Sequence, residues 1–131
     1  MVQLIFRTAP DLMKKILVVD DDPDLRKLMR VILEMEGYIV EEAEDGGIAL
    51  DCVKSNPPDL IISDVIMENV NGFMLHELLR EEPATEKIPM ILVTGQAQEA
   101  GAWDADPNLG YLQKPVMQED LVEAVKGRLG V

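Results

Sequence analysis

The run Ile16-Leu17-Val18-Val19 meets Asp20, Asp21 and Asp22 with nothing between them. Four consecutive branched aliphatic residues suit a strand covered on both faces, as strands of a parallel sheet are. The carboxylates that follow cannot continue into such an interior, because water holds each charge strongly. The strand must end there, at an edge open to solvent. In open α/β sheets, ligands bind in the crevice outside the carboxyl ends of the strands. Taken alone, the acidic run also reads as a solvated turn. A second run, Leu60-Ile61-Ile62-Ser63, likewise closes on an aspartate, Asp64. Two buried strands each delivering Asp to one edge point to a site for a hard divalent cation, which prefers oxygen ligands.

The rest of the chain repeats the rhythm of strand-length apolar runs with amphipathic segments between them, the pattern of βα units. The first strand spans about 15–19. Asp22 and Pro23 then form a helix start, as cap and first-turn residue. Leu25, Leu28, Met29, Ile32 and Leu33 give that helix its apolar face, and Gly37 ends it. A short second strand is expected at 38–40. Gly46 and Gly47 precede a helix carrying Ile48, Leu50 and Val53, stopped by Pro57-Pro58. Strand three runs about 59–63. After a loop to Gly72 comes a helix with Phe73, Leu75, Leu78 and Leu79, ending by Pro83. Strand four is expected at 88–93, strand five at 111–113, and a last helix at 118–129. The fourth helix, between strands four and five, is the least regular: Gly95, Gly101 and Pro107 interrupt it, and Trp103 is its one large apolar residue.

A chain of 131 residues makes one domain. Its net charge of −13 welcomes a cation and argues against nucleic acid or an anionic membrane as direct partner. The single cysteine, Cys52, forms no internal disulfide and fits a reducing, cytoplasmic setting. No apolar run approaches the roughly 20 residues that span a bilayer. Residues 1–13 fit no element well and are expected to be an N-terminal extension, with the domain proper over 14–131.

Strand ends thus carry Asp20, Asp21 and Asp22, then Asp64, then Thr94, while strand five leads into Lys114-Pro115. Together these residues could perform phosphoryl transfer. A carboxylate such as Asp64 can attack phosphorus and form an acyl phosphate. Asp20 and Asp21 would hold Mg²⁺, or Mn²⁺ in its place, against the incoming phosphoryl oxygens. The Thr94 hydroxyl would donate to one of those oxygens and Lys114 would pair with another.

This set resembles the receiver domain of two-component response regulators. The resemblance rests on Val18-Val19-Asp20-Asp21-Asp22-Pro23, Ile62-Ser63-Asp64, Gly72, Val93-Thr94-Gly95 and Lys114-Pro115, and spans about 14–129. It implies a flavodoxin-like, doubly wound, five-stranded parallel sheet of order 2-1-3-4-5 with helices on both faces. It implies that Asp64 is phosphorylated by a histidine kinase or histidine phosphotransfer protein. The metal would sit on Asp20, Asp21, Asp64 and the backbone carbonyl of Ile66. Gly95 would leave room for the phosphoryl group, and Tyr111 falls at the aromatic switch position beside Thr94. A downstream partner would read the surface of the fourth helix, fifth strand and fifth helix.

Two departures stand out. The family commonly has Met-Pro where this chain has Met67-Glu68, which should loosen the loop after the acceptor without removing a ligand. The stretch from Thr94 to Lys114 is also slightly short. His76, the only histidine, neighbours Glu77 and is expected on a solvated helix face. Two other readings stay open. Asp20-x-Asp22 has the spacing of a haloacid-dehalogenase-type phosphatase, although Asp24 stands where that family has Thr or Val. A receiver-like module that binds partners without phosphorylation is the other.

Overall fold

The computed structural model describes residues 13–95 and 106–130. Five strands, β1 (Lys15–Val19), β2 (Ile39–Ala43), β3 (Leu60–Asp64), β4 (Met90–Thr94) and β5 (Leu109–Gln113), form one parallel sheet of order β2-β1-β3-β4-β5. Four helices are seen among the described residues: α1 (Pro23–Met35), α2 (Gly46–Ser55), α3 (Gly72–Arg80) and α4 (Gln118–Leu129). The flavodoxin-like, doubly wound architecture is as expected. Residues 96–105 of the irregular segment between β4 and β5, Trp103 among them, lie outside the described residues, as does most of the expected N-terminal extension. The last helix is therefore α4 in this numbering.

Alternate residues of the sheet feed two cores. Ile16 and Val18 of β1 pack with Met29, Ile32 and Leu33 of α1 and Leu121 and Val125 of α4. Leu17 and Val19 pack on the other face with Ala49 and Val53 of α2 and Leu75 and Leu79 of α3. Covering both faces makes β1, β3 and β4 almost uniformly apolar, while the edge strands β2 and β5 tolerate polar residues.

Local chemistry sets the boundaries. Asp22 caps α1 by accepting from the N–H groups of Asp24 and Leu25, with Pro23 in the first turn. Gly37, at φ 96°, turns the chain out of that helix. Several expected limits shift by one to three residues. β2 begins at Ile39 and continues through Glu41 and Glu42, because Lys15, Arg26 and Arg30 pair with those acids. Tyr38 instead enters the core. β5 starts two residues earlier than expected, at Leu109. Leu28 and Ile48, both expected on apolar helix faces, stand exposed.

Candidate functional site

Parallel pairing places every strand's C-terminus on one edge. Val19 lies beside Ser63, Asp64 beside Val93, and Thr94 beside Gln113. The residues at or just beyond these ends, Asp20, Asp64, Thr94 and Lys114, are thereby gathered whatever their distance in sequence. Asp20, Asp64 and Thr94 are all buried. Oxygens of Asp20, Asp21 and Asp64 lie within 4.8 Å of one another. Lys114 Nζ donates to Asp64 Oδ2 at 3.1 Å, and the Lys114 N–H donates to the Thr94 carbonyl at 2.8 Å. The bond from Lys114 to Pro115 is cis.

The loop after Asp64 folds back closely. The Gly72 N–H donates to the Val65 carbonyl at 2.9 Å, and a Cβ on Gly72 would stand 2.5 Å from the Asp64 carbonyl. Only glycine permits that return. At the loop's other flank, a Cβ on Gly46 would meet the Val70 carbonyl at 2.1 Å. Asn69 takes a left-handed φ of 63°, which its short amide side chain tolerates. Glu68, the departure from the Met-Pro pattern noted above, is solvent-exposed. Within the loop, Ile66 directs its N–H toward Asp64 Oδ1 at 3.4 Å and leaves its side chain 74% exposed.

The electrostatics favour a cation. Burial, reinforced by the neighbouring Asp64 charge, pushes Asp20 up to about 6 despite the Asp22 N–H that donates to its Oδ1 at 2.9 Å. Asp20 Oδ2 is buried with no hydrogen-bond partner among the described residues. An orphaned carboxylate oxygen beside two more carboxylates suits a hard divalent ion with oxygen ligands. The residues present fit such an ion.

Tyr111 is half-buried on β5, on the same sheet face as Thr94 and two residues before Thr94's partner Gln113. Asp22, the second acid of the phosphatase-like spacing, is engaged in capping α1 and not in the cleft.

The expectation for His76 is corrected. It is buried, and its Nε2 lies 2.7 Å from Asp106 Oδ2, which also accepts from Arg80 Nε at 2.7 Å. The signal was present in the spacing: Gly72, Leu75, His76 and Leu79 form one helical face, and all four are buried. Arg26 was also missed. Its Nη1 donates to the Asp20 carbonyl at 2.7 Å, a contact that no periodicity announces.

The family model of the response regulator receiver domain matches residues 16–126. An uncharacterized 14.6 kDa protein of Leptolyngbya boryana is 42% identical over 113 residues, 85% of this chain and 86% of that one. Protein PilH of Pseudomonas aeruginosa is 34% identical over 119 residues, 89% of this chain and 98% of its own. The chemotaxis response regulator CheY4 of Vibrio cholerae superposes with a TM-score of 0.82 at 31% identity, covering 88% of this chain and 98% of that one.

Proposed function

We propose that this chain, which belongs to the response regulator receiver domain family and so serves two-component signalling as a phosphoacceptor, takes the phosphoryl group on Asp64. The observation that carries the assignment is the gathering of Asp20, Asp21 and Asp64 within 4.8 Å, with Lys114 on the last of them.

In the proposed reaction, one Asp64 oxygen attacks the phosphorus of a phosphohistidine on a kinase or phosphotransfer protein. The new P–O bond forms as the P–N bond breaks, and the imidazole leaves. Lys114, which pairs with the carboxylate at rest, passes to a phosphoryl oxygen as that charge moves outward. The Thr94 hydroxyl donates to another oxygen, and Gly95, where a Cβ would meet nothing within 4 Å among the described residues, leaves room for the phosphoryl group. Asp20, Asp21, Asp64 and the Ile66 carbonyl would hold Mg²⁺ or Mn²⁺. The ion supplies neutralisation of phosphoryl charge that would otherwise repel Asp64. Drawing Thr94 inward frees space for the Tyr111 ring. That biases a surface that includes β5 and α4 toward its partner-binding form.

The setting we assign is the cytoplasm, where such donors are found; no helix among the described residues is long and apolar enough to cross a membrane. The N-terminal boundary near residue 14 is likewise our assignment. The test is incubation with acetyl phosphate. Intact mass should show one added phosphoryl group with Mg²⁺, none without it and none in Asp64→Asn. A phosphoryl group persisting in Asp64→Asn would remove the assignment.

A further inference from the structure

Asp20 and Asp21 are adjacent, so one peptide group sets the directions in which both side chains leave the backbone. Three hydrogen bonds hold that group and the peptides on either side of it. The Asp20 N–H donates to the Ala43 carbonyl at 3.1 Å, and the Asp22 N–H donates to Asp20 Oδ1 at 2.9 Å. The third hold is on the carbonyl of the peptide itself, from Arg26 Nη1 at 2.7 Å. Of the three it is the one made by a side chain from outside the Asp20–Asp22 turn.

Arg26 is itself anchored. Its Nε donates to Glu42 Oε1 at 2.8 Å, while Arg30 Nη1 donates to the other Glu42 oxygen at 2.7 Å. Arg30 also pairs with Glu34 one turn on. The Arg26 and Glu42 side chains are only 17% and 25% exposed, so the contact is largely withdrawn from water, where charge-assisted bonds gain strength. The hydrogen bond from Arg30, opposed by burial and joined by the one from Arg26, holds Glu42 below the usual carboxylate range. The anchor therefore stays ionised at neutral pH.

We propose that Arg26 is a positioning residue for cation binding: tied to Glu42 of β2, it fixes the peptide between Asp20 and Asp21 and so aims both carboxylates. The inference rests on the reading of that pair as the cation's ligands. It makes a prediction opposite in sign to simple electrostatics. A guanidinium near a divalent ion repels it, so charge alone has Arg26 weakening the site. If its role is to aim the ligands, removing it weakens binding instead.

Isothermal titration with Mg²⁺ of the wild type, Asp21→Asn, Arg26→Gln and Arg26→Lys decides it, at a temperature where circular dichroism shows each folded. Arg26→Gln should bind Mg²⁺ about tenfold more weakly, the scale at which residues supporting metal ligands act. Arg26→Lys keeps the charge and loses the two-point fork, and should also bind more weakly. Unchanged or tighter binding by Arg26→Gln overturns the proposal, including where only its melting temperature falls. If Arg26→Gln does not fold, Arg26→Lys binding as tightly as the wild type overturns it. Wild-type protein that binds no Mg²⁺, or Asp21→Asn that binds it undiminished, overturns the cation assignment, and the role of Arg26 falls with it; failure confined to the Arg26 comparison overturns the role alone.

Discussion

At Asp20, burial and charge meet in one carboxyl. Its pKa in the fold, about 6, stands above the ordinary aspartate value of 3.8. A raised carboxyl pKa stabilises the fold fully below the unfolded value, and that contribution is lost as pH rises through 6. Without a cation, the loss across that window is roughly 3 kcal/mol. A cation binds the ionised form, so it should restore more stability the higher the pH. Melting with and without Mg²⁺ at about pH 5 and about pH 7.5 should show the larger shift at the higher pH. Equal shifts would contradict the account. Ile66 gives a second residue-level expectation. Hydrolysis of an aspartyl phosphate needs water in line with phosphorus, and Ile66 sets a branched apolar side chain two residues past the acceptor. That side chain is exposed, so Ile66→Asn should change stability by no more than about 0.5 kcal/mol. It should hasten loss of phosphate, read as decay of the phosphorylated mass; equal or slower decay would count against steric shielding.

Between elements, the His76–Asp106–Arg80 cluster ties α3 to the residues leading into β5. Burial opposes ionisation of Asp106, but hydrogen bonds from His76, Arg80 and the Asn108 N–H outweigh it and hold the carboxyl at about 2. A depressed carboxyl pKa stabilises the fold above the unfolded value, and the contribution fades as pH falls toward 2. Asp106→Asn should therefore cost about 1–3 kcal/mol at neutral pH, measured by urea unfolding. Its gap to the wild type should close in acid. A gap independent of pH would mean that packing, not charge, holds the cluster. This cluster also shows where sequence reading fails at the scale of elements. The helical spacing put His76 on the buried face of α3, but its neighbour Glu77 and its polarity suggested solvent. The partner that reconciles it, Asp106, lies thirty residues on. The edge strand β2 was shortened for a like reason, since Glu41 and Glu42 look like loop residues until Lys15, Arg26 and Arg30 are found beside them.

For the molecule as a whole, the sheet and the acceptor edge were legible because they depend on local chemistry. Uniformly apolar runs mark strands covered on both faces, and Asp20, Asp64 and Thr94 sit where those runs stop. Parallel pairing does the remaining work, since it brings all strand ends to one edge. The strand order was legible only through family resemblance, and the pairing observed follows it. Contacts such as Arg26 to the Asp20 carbonyl were not legible, because they depend on how α1 lies over β2. The central claim is that this edge makes Asp64 the phosphoacceptor. Borohydride trapping tests it most directly: reduction of an aspartyl phosphate leaves homoserine at the residue that carried the phosphoryl group. After phosphorylation with Mg²⁺, peptide mass spectrometry should find homoserine at position 64 and at no other aspartate. Homoserine at Asp20, Asp21 or Asp22 would contradict the account.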